Sequence, residues 1–490
     1  MQPQEKRSRP GRLVHEVHLH PMGVEFFGSI LQDKSLEEMR EVAVRLRQQL
    51  AGRVIWNIHS KTVGGGVTET LHTLLGYARG AGIDTRLLVL GGDPDFFRIT
   101  RRLHHALHGE GGDGSPLDHQ AGRIYQQALD RNAEQMENFI APRDVVILHD
   151  PPTAGLIPRL VERGNSVVWR CHIGLDTPNR QSDRGWSFLE PWLTRAQAFV
   201  FSRFSHLPDQ LYHGRCLVQS PCIDPFSAKN QDLDEQTVHA ILGRIGVLEG
   251  DGDDRACAVN LPNGSRIAVR RPAEILREGP PPTCDTPLVL QVSRWDSLKD
   301  PVGALYGFHR SVDRWDSEPA HLVLAGPALA GQDLEAAEVF REVVAAWRSL
   351  PEDSRRRVHL VRLPMEDVQE NAAMVNALQR HARVVVQKSL REGFGLTVTE
   401  ALWKARPVIA SAVGGMQDQI EHGVSGLLLR DPSDLDAFAG AIRQVLANPP
   451  LARRLGENGR RRVARNYLGS SILARYADLV ERLDLESPVA

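Results

Sequence analysis

Twice along this chain, short apolar runs alternate with stretches of helical period, and that rhythm restricts the fold more than any other feature. In the first series the runs fall at 54–56, 87–90, 145–148, 167–169 and 199–201. In the second they fall at 288–292, 322–325, 358–361, 384–386, 408–410 and 427–429. Apolar runs of this length suit strands buried on both faces of a parallel sheet. Between them the chain turns helical: Val67, Leu71, Leu74, Leu75 and Ala78 recur at a period of about 3.6 residues. With 490 residues the chain is too long for one ordinary core. The fold class predicted is therefore α/β, with two Rossmann-like doubly wound domains. Ligands on such sheets sit beyond the carboxyl ends of the strands. Two of them facing each other would make a cleft.

The rhythm also sets boundaries. Residues 1–13 read as a disordered tail, whose MQPQEKRSRPGR is basic but has no apolar segment to make it a signal peptide. Residues 14–227 form the first domain, rejoined by a C-terminal helix at 470–490. Residues 228–286 break the pattern and read as a connection with an insertion. This segment holds a helix over 231–247, the Asp/Gly-rich LEGDGDDR, and Asn263-Gly264 between two short apolar runs, which is a hairpin signal. Residues 287–469 form the second domain.

Charge and cysteine usage exclude several classes. With 59 Lys and Arg against 61 Asp and Glu, the net charge of −2 gives no general attraction for nucleic acid or an anionic membrane. The run Arg460-Arg461-Arg462 reads as a solvated helix face. Five cysteines (Cys171, Cys216, Cys222, Cys257 and Cys284) form no C-x-x-C pair, so neither a disulfide framework nor a zinc site is expected, and a cytoplasmic setting fits. No apolar stretch reaches the roughly 18 residues of a membrane span. His15, His18 and His20 in LVHEVHLHP fit an alternating β-segment better than a metal site.

The chemistry concentrates in LREGFGLTVTEALWKARPVIAS, residues 390–411. A strand ending near Gln387 leads through Arg391-Glu392-Gly393-Phe394-Gly395 into a helix from about Leu396 to Lys404. Glycines let backbone approach a ligand closely, and the free N–H groups of the helix start attract an anion such as a diphosphate. Glu392 in the loop and Glu400 one turn into the helix could accept hydrogen bonds from a hexose and a ribose, respectively. The spacing leaves a bland alternative open: Thr397-x-x-Glu400 is also a capping-box pattern, and Glu392 could be a surface acid. In QVSRWDSLKDP, Arg294 and Lys299 follow a strand and could both address a diphosphate, Arg as a fork and Lys as a point charge. In the first domain, Gly64-Gly65-Gly66 precedes a helix, but a dinucleotide fingerprint needs glycine where Glu69 stands, which disfavours NAD. WRCHIGLDTPN places His172, and VILHDPPTAGLI places His149 and Asp150, at strand-to-loop transitions.

Taken together, EGFGLTVTEA, ARPVIAS, VGGMQDQI and HGVSGLLL resemble the retaining family-4 glycosyltransferases of GT-B fold. WNIHSKTVGGGVTETLHTLL, LHDPPTAGLIP, WRCHIGLDTPN and SPCIDPFSAKN resemble the trehalose-synthesising branch of that family, over about 14–245 and 287–480. The resemblance implies catalytic roles for Arg294, Lys299 and Glu392. It implies donor contacts from Gly65, Gly66, His172, Phe394, Gly395, Leu396, Thr397 and Glu400, and from Leu363 in a loop near the base. It implies acceptor contacts from His149 and Asp150. The substrates implied are a nucleoside-diphosphate glucose and glucose. No cofactor or metal is required, Mg2+ being at most stimulatory, and a homodimer is left open. His59-Ser60-Lys61 and Pro151-Pro152 depart from the branch's pattern, both on the acceptor side. A trehalose phosphorylase, a family-4 enzyme with another acceptor, and a non-catalytic sugar-binding protein are the competing readings.

Overall fold

The computed structural model describes residues 13–31, 33–50, 52–60, 66–211, 216–250, 256–312, 320–329 and 333–484. The tail up to residue 12, Lys61, Gly64 and Gly65 lie outside the described residues. The described chain divides into two compact units. One holds the residues up to Pro221 and those from Gly469 onward, and the other runs Cys222–Leu468.

The first unit is a seven-stranded sheet made of β1 (His15–Val17), β2 (Ile55–His59), β3 (Thr85–Val89), β4 (Val145–His149), β5 (Ser166–Cys171), β6 (Ala198–Phe201) and β7 (Cys216–Val218). Its order is β1-β3-β2-β4-β5-β6-β7. β1 joins the edge antiparallel to β3, and all other pairings are parallel. Every residue of β2, β4 and β6 is buried, as strands covered by helices on both faces must be. Trp56 and Trp169 are fully buried, and the Trp56 indole N–H donates to Asp144 Oδ2 at 3.0 Å, so its polar edge carries no desolvation penalty. The C-terminal helix Ile472–Asp484 packs on the helix Asp33–Leu50 of the same unit.

The second unit repeats the plan. Its strands are β10 (Glu274–Leu276), β11 (Leu288–Val292), β12 (His321–Pro327), β13 (Val358–Leu363), β14 (Val384–Gln387), β15 (Val408–Ser411) and β16 (Leu427–Leu429), in the order β10-β13-β12-β11-β14-β15-β16. Again one short edge strand, β10, is antiparallel and the rest are parallel. The expected hairpin is present as β8 (Ala258–Asn260) and β9 (Arg266–Ala268), with Gly264 at φ 80° in its turn. The described part of 228–286 lies within this unit: Glu370, itself buried, accepts the backbone N–H groups of Arg270 and Arg271 at 2.6 and 2.8 Å. Among the described residues no helix is long and apolar enough to cross a membrane.

Two readings of the sequence need correction. Arg362 and Leu363 are the last residues of β13, not a loop. Pairing with β12 carries the strand on to Leu363, opposite Pro327, and the Leu363 carbonyl accepts Ala328 N–H at 2.7 Å. The capping box Thr397-x-x-Glu400 does not form. The helix Leu396–Trp403 has Gly395 as its N-cap, at φ 84°, so Thr397 already sits inside the helix.

Candidate active site

Doubly wound sheets bind ligands where the strand order reverses. In the second sheet the chain runs from β11 to one side and from β14 to the other, so the reversal lies between these two strands. The loop after β11 carries Arg294 and Lys299, and the loop after β14 carries Glu392. The two loops are stitched together. Gln291 donates to Lys299 O at 2.9 Å and accepts from Lys388 N–H at 3.2 Å, and Leu390 N–H donates to Leu298 O at 2.8 Å. Lys299 Nζ reaches Glu392 Oε2 at 2.5 Å, with both side chains mostly buried (15% and 12% exposed). Arg294 is turned outward instead. It is 73% exposed and pairs with Asp296 Oδ2 at 2.8 Å.

The backbone around Lys299 is held under strain. Asp300 adopts a left-handed conformation, φ 45° and ψ 54°, at a cost of about 1 kcal/mol for a residue with a Cβ. Its carboxylate compensates: it accepts Gly303 N–H at 2.9 Å and pairs with Lys388, whose side chain is buried. A Cβ on Gly303 would stand 2.1 Å from Asp300 Oδ2 and 2.5 Å from Lys388 Nζ, so a side chain there would have to displace that ion pair.

The glycine loop is clasped by the segment 414–419. A Cβ on Gly414 would lie 1.7 Å from Glu392 O, and Gly415 N–H donates to Gly393 O at 2.9 Å. Gln419 donates to Phe394 O at 2.6 Å while accepting from Thr399 Oγ1 at 2.7 Å. Phe394 is buried, its ring 5.8 Å from that of Tyr467. Leu396 and Thr397 are half-buried at the start of the helix, in positions whose N–H groups have no partner within the helix. Glu400 is buried with Lys229 Nζ at 3.5 Å. One turn on, Lys404 donates to Asn230 Oδ1, Gln379 Oε1 and Glu400 O at 3.0, 2.8 and 3.1 Å. Burial pushes its pKa well below the usual lysine range, with the Glu400 charge opposing.

In the first sheet the reversal lies between β2 and β4. Here His149 ends β4, Asn57 and His59 lie on β2, and His172 follows β5. His149 and His172 stack at 5.5 Å and share a hydrogen bond, Nδ1 to Nε2, of 3.2 Å. Burial, and then the Arg170 charge, hold both imidazoles well below their usual pKa, so both are neutral at pH 7. Asp150, at φ 64°, is strained like Asp300. Its carboxylate accepts His172 N–H at 2.7 Å, and its carbonyl accepts from Thr153 N–H, Thr153 Oγ1 and the Trp169 indole. Gly66 is the first residue of the helix Gly66–Gly80.

The structure thus gathers Lys299, Glu392, Phe394, Gly395, Leu396 and Thr397 at one switch point and His149, Asp150 and His172 at the other. Leu363 is buried at its strand end. Sequence reasoning missed Lys388, Asp300, Gln419 and Lys229 around the charged site, and Asn57, Thr85 and Arg170 around the neutral one. A lone Asn inside the apolar run IWNIH was the one available signal for the latter.

Comparison with known proteins bears on both units. Residues 57–208 match the family model for the N-terminal domain of trehalose synthase, and residues 367–462 match that for glycosyl transferases group 1. The trehalose synthase of Rubrobacter xylanophilus is 32% identical over 450 residues, covering 91% of this chain and 94% of the relative. That of Thermococcus litoralis is 30% identical over 460 residues, covering 93% and 96%. A trehalose phosphorylase of Pleurotus pulmonarius is 26% identical, over 88% of this chain but 56% of the relative. Among solved structures, the trehalose-6-phosphate synthase OtsA superposes with a TM-score of 0.65 at 11% identity, covering 88% of this chain and 99% of that one. A sucrose-phosphate synthase from Thermosynechococcus elongatus gives 0.58 at 19%, covering 89% and 100%. These two likenesses show the GT-B fold.

Proposed function

Because this chain belongs to the trehalose synthase family of GT-B glycosyltransferases, we propose that it transfers glucose, with retention at the anomeric carbon, from a nucleoside-diphosphate glucose to free glucose and so makes α,α-trehalose. The observation that carries this reading is the Lys299–Glu392 pair beside the glycine loop, at the switch point of the second sheet.

The roles follow from the chemistry of each group. Departure of a nucleoside diphosphate builds negative charge on its β-phosphate. Lys299, with Arg294 swung in from Asp296, stabilises that charge as it develops. The N–H groups of Leu396 and Thr397 add the positive end of the helix. Once Lys299 turns to phosphate, Glu392 is released to accept hydrogen bonds from the hexose hydroxyls. Glu400, with Lys229 Nζ at 3.5 Å, accepts those of the ribose. His172 contacts the 6-hydroxyl of the donor hexose, and His149 and Asp150 shape the acceptor side. The departing phosphate oxygen takes the proton of the attacking hydroxyl, so no protein nucleophile is assigned. The reaction needs no cofactor in this scheme, and the protein works in the cytoplasm, in keeping with five cysteines and no C-x-x-C pair.

An NMR product assay tests this. Glucose is the acceptor, with ADP-, UDP- and GDP-glucose and glucose 1-phosphate supplied in parallel. Trehalose from a nucleotide donor, lost in Glu392→Gln, is the expected outcome and names the base. Trehalose from glucose 1-phosphate alone makes the protein a phosphorylase. No trehalose from any donor, with nucleotide-sugar binding intact, overturns the assignment of the acceptor.

A further inference from the structure

The His149–His172 pair has a polarity, and the strands beneath it set that polarity. Thr85 Oγ1 lies 3.1 Å from Ile55 O, a carbonyl that can only accept, so the hydroxyl proton is committed there. Thr85 Oγ1 must then accept from Asn57, whose Nδ2 is 3.2 Å away. That turns Asn57 Oδ1 toward His149 Nε2 at 3.0 Å, and an amide oxygen can only accept. His149 therefore carries its proton on Nε2, and its Nδ1 is a bare lone pair. The ring nitrogen 3.2 Å from that lone pair, His172 Nε2, must be the donor. Thr85, Asn57 and His149 are all buried, so no solvent can reset the sequence, whereas His172 is half-buried at its end.

We infer that Thr85 and Asn57 are positioning residues that fix the tautomers of His149 and His172, so that His172 presents an unprotonated Nδ1 and recognises a group that donates, a sugar hydroxyl. The identity of that sugar as the donor hexose rests on the proposed function, whereas the relay does not. The groups facing the pair agree with a neutral acceptor. Arg170 and His59 both disfavour a proton on the imidazoles, and the Asp150 carboxylate is already engaged with His172 N–H. A His bearing its proton on Nδ1 would instead select an acceptor such as a carbonyl or phosphate oxygen.

The test is long-range 1H–15N NMR of the full chain with labelled histidine at pH 7.5, repeated for Thr85→Val and Thr85→Ser. The expected result is protonated Nε2 and bare Nδ1 at both histidines. Thr85→Val, which frees the Asn57 amide to turn, gives a mixture of tautomers, and Thr85→Ser restores the wild-type pattern. A protonated Nδ1 on His172 in the wild type, or tautomers unmoved by Thr85→Val, overturns the relay. The wild-type spectrum can overturn the relay even if a variant fails to fold. The kinetic counterpart is KM for the nucleotide-glucose against its 6-deoxy-6-fluoro analogue, since fluorine cannot donate. Wild type disfavours the analogue by about tenfold, the worth of one net hydrogen bond, and Thr85→Val loses that preference. Expected tautomers without fluorine discrimination leave the relay standing and move His172 away from the donor 6-hydroxyl, which is a failure of the proposed function alone.

Discussion

At the switch point of the first sheet Asn57, His149 and His172 are neutral and rise from strands or the residues directly after them. At that of the second, Lys299 and Glu392 are charged and sit on loops. Asn57, His149 and His172 are joined by hydrogen bonds among uncharged groups, and burial keeps both imidazoles in their neutral form, each with one N–H. Lys299 and Glu392 remain an ion pair, within loops that a second layer of pairs and glycines holds in place. Neutral groups can be buried cheaply if each donor finds an acceptor, so rigid strands suffice. A cation that must meet a charged leaving group has to exchange one partner for another. A loop permits that exchange, and Lys388–Asp300 limits how far it strays.

The largest effect that sharpens this contrast is the loss of charge. Lys299→Met is expected to lower kcat by about 10²–10³-fold, the usual consequence of removing one preorganised stabiliser of developing negative charge. His172→Gln is expected to cost only about tenfold, one hydrogen bond. Steady-state kinetics on both variants checks the ordering, and equal losses would erase the distinction between the two sites.

Acid should act on the neutral pair through stability. The folded pKa values of His149 and His172 lie well below 6.5, chiefly through burial, so below pH 6.5 the unfolded chain binds protons that the native chain refuses. The stability is fully present above that pH and is lost as pH falls toward the folded values. One pH unit below, the loss is on the order of 1 kcal/mol per histidine. Denaturant melts at pH 7.5 and 5.5 should show it, less steeply in His172→Gln. His321, held down to about 4 by burial and then by the Arg357 charge, behaves in the same direction and adds to the background slope.

The smallest effect belongs to the exposed pair. Asp296→Asn frees Arg294, but an ion pair this exposed contributes little, so stability should change by less than about 1 kcal/mol. If Arg294 does swing to phosphate, KM for the nucleotide sugar falls slightly. A rise would show that Asp296 holds Arg294 where it is needed.

Much of this was legible in residue order. The strand runs mark β2 to β6 and β11 to β16, and the EGFGL segment marks the charged site, because a strand buried on both faces and a glycine turn each leave a local signature. The edge strands β7 and β10 were not legible. Three residues such as Glu274–Leu276 carry no pattern of their own and become a strand only because β13 offers them hydrogen bonds. The Thr397–Glu400 capping box was a false signal, since a turn at Gly395 had already started the helix.

By itself, then, the sequence determined two doubly wound domains, their turns and the residues placed after each strand, because these depend on local period and on backbone freedom. Only the tertiary structure decided who partners whom: Lys299 with Glu392, Asp300 with Lys388, Asn57 with His149 and Thr85. Those partners are 93, 88, 92 and 28 residues apart. No local pattern can encode a pairing that arises only when parallel strands from distant parts of the chain come to lie side by side.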